Sequence, residues 1–183
     1  MSKLAFALAA ASALAMSAPV TPAAASMETY EAKSTAAAAA AAARQDMYEA
    51  FGDKDLKPGQ YLWRDVPASA GEERVVVSLS DQLAYLYRGN SLMAVTTVST
   101  GTQKNPTPTG IFNVLNKKPM HRSRKYENAP MPFTQFIDQY GIALHAGHIP
   151  GRPASHGCVR LPSAFAQKLY KVTDVGTPVL IGA

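Results

Sequence analysis

The sequence predicts a mainly β domain with α, carrying one helix near its C-terminus and preceded by an alanine-rich helical tether. Three observations carry this reading. From Arg74 onward, Val, Tyr and Thr gather in short runs separated by Gly, Asn and Pro, the composition of strands and turns. A helical spacing of apolar residues recurs only late, at Phe165, Leu169 and Val172. Eight consecutive alanines, Ala36 to Ala43, lie well before the strands, where they favour helix but offer no large side chain to a core.

Taken in order, residues 1–25 read as an export signal. Lys3 gives a positive start, Leu4 to Met16 is a short apolar run, and Ala23-Ala24-Ala25 offers a small-residue cleavage site. The thirteen residues of that run fall short of the roughly 20 needed to cross a bilayer, so no permanent membrane span is expected. No cysteine follows the run to carry a lipid at a mature N-terminus. Residues 26–70 form an alanine-rich helical or flexible segment, expected to be a solvated helix or tether. Lys57-Pro58-Gly59 breaks it, and Tyr61, Leu62 and Trp63 make a short apolar clip that packs on the domain ahead, with packing favoured over sugar recognition for Trp63.

Residues 71–183 are the expected main folded domain. Strands are predicted over 74–80, 83–87 and 92–100, with Gly89-Asn90 as the tight turn between the last two. A rigid proline-bearing loop, Asn105 to Gly110, leads into a strand over 111–115. The stretch 117–132 is polar, basic and punctuated by proline, and predicts a long surface loop. Strands over 133–137 and 141–145 flank the turn Asp138 to Gly141; Pro162 then opens a helix over 163–172, and 177–181 closes as a strand.

The chain of 183 residues is about one domain long once a signal is removed. Its net charge of +5 resides in the C-terminal part, where 12 Lys and Arg face 6 Asp and Glu from Gly71 onward. That balance favours a partner bearing carboxylates or phosphates, and export disfavours nucleic acid. No feature of the sequence fixes an oligomeric state.

The chemistry gathers between Gly141 and Arg160. Cys158 is the single cysteine, so in an exported chain it has no intramolecular disulfide partner. A thiol attacks as thiolate, and an ordinary pKa near 8.5 leaves only about 3% ionised at neutral pH, so a proton-accepting imidazole changes its rate directly. Two histidines qualify. His156 lies two positions before Cys158, and on an extended segment their side chains share a face. His145 ends a predicted strand and reaches Cys158 only if the Gly- and Pro-bearing loop turns back. Gly157 frees the backbone beside the nucleophile, where amides can meet an oxyanion. The competing readings are a buried inert thiol for Cys158 and a tetrahedral zinc set from His145, His148, His156 and Cys158.

At Ser155-His156-Gly157-Cys158-Val159-Arg160 the sequence resembles the catalytic domain of the L,D-transpeptidases, the YkuD-type family. The likeness runs from about Arg74 to Ile181 and includes Thr107-Pro108-Thr109-Gly110-Ile111-Phe112. The resemblance implies an L,D-transpeptidase-like β-sandwich or mixed sheet, with the helix placed after the catalytic cysteine. It implies Cys158 as nucleophile, His145 as proton acceptor and donor, the Ala146 carbonyl orienting that imidazole, and an oxyanion site from amides around His156, Gly157 and Cys158. The interval from His145 to Cys158 is shorter than in many members, so the loop is trimmed.

The implied reaction forms an acyl-enzyme on peptidoglycan tetrapeptide stems and then a 3→3 cross-link, or releases terminal D-alanine when water is the acceptor. No metal and no organic cofactor is implied, and a carbapenem is implied to trap the thiol. Arg160 is the candidate for holding a stem carboxylate, with a structural ion pair as its alternative; Ser155, Ala146 and Tyr126 complete the expected substrate-side residues. A rim of Lys117, Lys118, His121, Arg122, Arg124 and Lys125 either gathers wall polymer or is a solvated loop. The other function classes are an L,D-carboxypeptidase, another envelope thiol acyltransferase, and a non-catalytic wall-binding protein, against which the His145 and Cys158 pair argues.

Overall fold

Alternation along the strands decides which layers form. In the computed structural model, which describes residues 27–183, six strands make one sheet: β1 (Tyr61–Trp63), β2 (Glu73–Ser78), β3 (Leu83–Arg88), β4 (Ser91–Thr97), β5 (Gly110–Asn113) and β10 (Pro178–Gly182). Their spatial order is β1-β4-β3-β2-β10-β5, antiparallel except where β10 runs parallel to β2. Val75, Val77, Leu86 and Ile181 project to one side and join the main core. Their neighbours Val76, Tyr85 and Tyr87, with Val95, project to the other side and form a second cluster. Both faces of this sheet are therefore buried.

The second sheet covers the first face. It contains β6 (Asn116–Ser123), β7 (Ala129–Phe136), β8 (Ala143–Ala146) and β9 (Val159–Leu161) in sequence order, with β8 and β9 parallel. Helix α2 (Ser163–Val172) adds Phe165, Ala166 and Leu169 to the same core. Phe165 meets Tyr61 and Trp63 edge-on, with ring centroids 5.7 and 5.8 Å away. Lys168 lies 4.8 Å over the Trp63 ring, so that indole is a packing residue. The result is the mixed-sheet architecture expected, with the single C-terminal helix following the cysteine.

Helix α1 (Tyr30–Phe51) covers the other face, and here the expectation of a solvated tether is overturned. The helix itself forms as predicted: Thr29 caps it by accepting from the Ala32 amide at 3.2 Å, and Gly52 ends it at φ 77°. Ala32, Ala36, Ala40, Ala43 and Met47 nevertheless fall on one buried stripe. Small side chains are what permit this docking, because they let the helix backbone approach the sheet closely. A Cβ at Gly182 of β10 would lie 2.6 Å from the Ala36 carbonyl oxygen and 2.8 Å from the Ala40 Cβ. The Tyr87 hydroxyl also donates to Asp46 at 2.6 Å, tying β3 to the helix. Met47→Ala is expected to lower the unfolding free energy by about 2 to 5 kcal/mol, whereas Ala38→Ser, on the exposed side, should stay within about 0.5 kcal/mol. Denaturant titration of the two variants measures the difference, and equal midpoints would contradict the docking.

The long loop expected over 117–132 is instead the hairpin β6–β7, paired in register from Asn116 with Phe136 to Ser123 with Ala129. Strand β6 is the edge of its sheet and mostly exposed, so it shows no apolar alternation. Its Lys117, Lys118, Pro119 and Arg122 suit an unpaired edge that must not recruit another strand. The proposed export signal over residues 1–25 lies outside the described residues. Among the described residues, no helix is long and apolar enough to cross a membrane.

Candidate active site

Two short strands aim the polar residues. On β8, Leu144 and Ala146 belong to the core, so His145 between them must face the opposite way. On β9, Val159 and Leu161 are core residues, which sends Arg160 to that same outer face. Parallel pairing sets His145 beside Arg160. Cys158 lies one residue before β9, two before Arg160. His145, Cys158 and Arg160 all line one cleft of about 610 Å³, with Tyr126, His148 and His156 on its walls.

The His145 ring is held by its main chain. Its Nδ1 lies 2.8 Å from the Ala146 carbonyl oxygen; since a carbonyl only accepts, Nδ1 carries the proton and Nε2 is left with its lone pair. Burial pushes the His145 pKa below the usual imidazole value; the contact with Ala146 opposes that shift, and the positive Arg160 and His121 reinforce it. Burial likewise pushes the Cys158 thiol up, opposed by a backbone hydrogen bond at Ala143. The directions agree on a neutral thiol beside a neutral imidazole at rest. Correspondingly, Cys158 Sγ donates to the Gly141 carbonyl oxygen at 3.6 Å.

The loop carrying the nucleophile is fastened from within. Ser155 is buried; its hydroxyl donates to the Cys158 carbonyl oxygen at 2.5 Å and accepts from the Gly157 amide at 3.1 Å. That hydroxyl is thereby spent inside the loop. Gly157 has φ 113°, and a Cβ there would come within 2.6 Å of Ile142 Cδ1, so only glycine fits without displacement. The same kink defeats the premise that His156 and Cys158 share a strand face. His156 is exposed while Cys158 is half-buried, and the His156 ring stacks on Tyr126, centroids 4.2 Å apart at 17°. Tyr126 comes from the end of the β6–β7 hairpin, which thus closes one side of the cleft. His148 is exposed on the rim.

Arg160 has no ion-pair partner among the described residues, whose single salt bridge joins Arg88 to Glu73. Its stem lies against Gly147, where a Cβ would be 3.0 Å from the Arg160 Cγ. Among the described residues no three His, Cys, Asp or Glu side chains converge as a metal-ligand set. Of the basic rim, Lys118, His121, Arg124 and Lys125 line the cleft, while Lys117 turns away to the Tyr170 carbonyl at 2.8 Å.

Two residues that the sequence reading named without a role also shape the site. Asp138 Oδ1 accepts the amides of Tyr140, Gly141 and Ile142 at 2.9, 2.7 and 2.8 Å, fixing the carbonyl on which the thiol rests. An aspartate opening a turn is its signal. Thr107 Oγ1 donates to the Gly157 carbonyl at 2.8 Å and accepts from the Gly101 amide at 2.8 Å; no local pattern discloses that long-range contact.

Comparison with known proteins bears on the fold and the family. The fold is similar to an L,D-transpeptidase from Mycobacterium smegmatis, 22% identical over 61% of this chain and 59% of that chain, with a TM-score of 0.57. It is similar to one from Xylanimonas cellulosilytica, at 28% identity over 65% and 64% with a TM-score of 0.56. A third, from Stackebrandtia nassauensis, is 25% identical over 74% and 64% with a TM-score of 0.57. The match spans less than two thirds of each of those chains. No curated protein sequence matches this chain. The YkuD family, defined by the L,D-transpeptidase catalytic domain, matches residues 72–181. That is more than half of the chain, so the protein belongs to the YkuD family of L,D-transpeptidase catalytic domains.

Proposed function

We propose that the protein is an exported, cysteine-dependent L,D-transpeptidase of the periplasm or cell envelope, acting on peptidoglycan tetrapeptide stems. The observation that carries the reading is the fixed tautomer of His145. With Nδ1–H held by the Ala146 carbonyl, Nε2 is left with its lone pair on a side chain that lines the same cleft as Cys158, and so is the candidate proton acceptor.

In the proposed first step the thiol leaves the Gly141 carbonyl and passes its proton to Nε2 as sulfur attacks the carbonyl of the third stem residue. The carbonyl π pair moves onto oxygen. The Gly157 amide is engaged by Ser155, so the amides of His156 and Cys158 are the candidates to meet that oxyanion. Collapse of the intermediate breaks the C–N bond, and the imidazolium returns the proton to the departing D-alanine amine. A thioester is left on Cys158. An amine from a neighbouring stem then attacks, His145 takes its proton, and the thiolate is expelled and reprotonated as the 3→3 cross-link forms. Ser155 and the Ala146 carbonyl act as positioning groups. Arg160, without an ion-pair partner among the described residues, and Tyr126, on the cleft wall, are the proposed substrate contacts. The excess of 12 cationic over 6 anionic side chains from Gly71 onward suits stems that end in carboxylates.

Incubating the purified protein with disaccharide-tetrapeptide, followed by mass spectrometry of products, tests this. A dimer short of one D-alanine supports transpeptidation. A tripeptide monomer in its place identifies water as acceptor and an L,D-carboxypeptidase. Unchanged substrate with no acyl-enzyme contradicts both.

A further inference from the structure

The nucleophile loop hangs from a strap formed by residues 99–107, and the strap is itself pinned from a distant turn. Thr100 O accepts the amides of both Ala154 and Ser155 at 3.0 Å, and the Thr102 amide donates to the Ser155 carbonyl at 3.2 Å. Ser155 in turn holds the Cys158 carbonyl and the Gly157 amide. Whatever fixes Thr100 therefore helps to set the nucleophile in its cleft, beside the hold of Thr107 on the Gly157 carbonyl.

Gln82, in the turn between β2 and β3, grips Thr100 on two sides. Its Nε2 donates to Thr100 Oγ1 at 2.7 Å, and its Oε1 accepts from the Thr100 amide at 3.1 Å. The same Nε2 donates to the Leu79 carbonyl at 2.8 Å, which locks the side chain to its own turn. The Gln82 carbonyl accepts from the Val98 amide at 2.8 Å, two residues before Thr100. The backbone at Gln82 sits at φ 52°, a conformation in which glycine or asparagine is easier and a longer side chain is strained. A glutamine held there against its preference points to a task for its amide. Glycine lacks the amide, and asparagine has it one carbon closer to the backbone.

We infer that Gln82 is a positioning residue of the active site, setting the Cys158 loop through Thr100 and Ser155. This rests on the proposed acyl transfer for its catalytic readout, but not for its structural one. The loop must hold sulfur and the oxyanion amides in mutual register, and a misplacement near 1 Å costs on the order of 100-fold.

The test compares the parent with Gln82→Gly, which suits the left-handed backbone while removing the grip, and with Gln82→Glu, which keeps an acceptor for the Thr100 amide. Amide exchange at Ala154 and Ser155 is read by mass spectrometry without substrate. Gln82→Gly is expected to speed exchange there while leaving the β2 and β3 amides protected. In acyl transfer from the tetrapeptide, or in carbapenem acylation, kcat or its acylation equivalent should fall about 10- to 100-fold with KM little changed. Iodoacetamide alkylation of Cys158, which needs no oxyanion register, should stay within about twofold of the parent, and Gln82→Glu should recover part of the acylation rate.

Unchanged exchange at Ala154 and Ser155 in Gln82→Gly overturns the inference, whatever the enzyme does. So does a parental acylation rate in that variant, or a loss in acylation matched by alkylation and by global unfolding. A parent that forms no acyl-enzyme overturns the proposed function, while the exchange result still decides the role of Gln82.

Discussion

Cys158→Ser is expected to reduce acyl-enzyme formation by about 10,000-fold or more, the scale seen when a nucleophile is removed from a coupled catalytic set. Serine is close in size and hydroxyl-bearing, and the half-buried site asks for little repacking. The fold should therefore survive with an unchanged melting temperature. The chemistry should not, because a hydroxyl is far less acidic than a thiol and the base available to it is weak. Burial holds the His145 pKa below the usual imidazole value, so the base is weaker than a free imidazole, and a hydroxyl gives up its proton to it far less readily than a thiol does. Intact-protein mass spectrometry after carbapenem treatment should find the parent modified once and the variant unmodified. Product formation by Cys158→Ser at a near-parental rate would sink the thiol mechanism.

What the sequence disclosed about this site was local, and what it hid was distant. Ser155 to Arg160 is one uninterrupted segment, so the type and order of its residues could be read directly, as could the alternation that places His145 at a strand end. The α1 docking was hidden because an alanine stripe carries little hydrophobic contrast, and the close approach also needs the distant glycine at position 182 on the opposing strand. The β6–β7 hairpin was hidden because an edge strand protected by lysine, arginine and proline looks like a loop in composition. Thr107 reaches the nucleophile loop across the fold, and Gln82 reaches Thr100, which accepts the Ala154 and Ser155 amides; no periodicity encodes such contacts. His156 and Cys158 would share a face on an extended segment; the positive-φ Gly157 turns the chain between them instead, although both residues line the cleft.

That turn makes the two histidines separable by experiment. His145→Ala is expected to lower carbapenem acylation of Cys158 by about 100- to 10,000-fold near neutral pH, the usual worth of general-base assistance. The pH dependence follows from the directions of the shifts. Burial holds the His145 pKa below the usual imidazole value, so in the parent the imidazole is mostly neutral and able to accept a proton near neutral pH, and acylation should decline only toward acid pH. Without His145 the rate must follow the thiolate fraction alone. Burial raises the Cys158 pKa, so the variant should gain about tenfold per pH unit through pH 8.5 and beyond before levelling. The gap between parent and variant should accordingly be widest at pH 6.5 to 7 and close toward alkaline pH. His156→Ala removes an exposed ring stacked on Tyr126 and leaves its backbone amide in place. It should slow acylation by no more than about tenfold, with the parental pH profile, because the proton acceptor is untouched. Should His145→Ala acylate like the parent at pH 6 to 7 while His156→Ala does not, the proton acceptor is His156, and the neutral Nε2 of His145 has no part in activating the thiol.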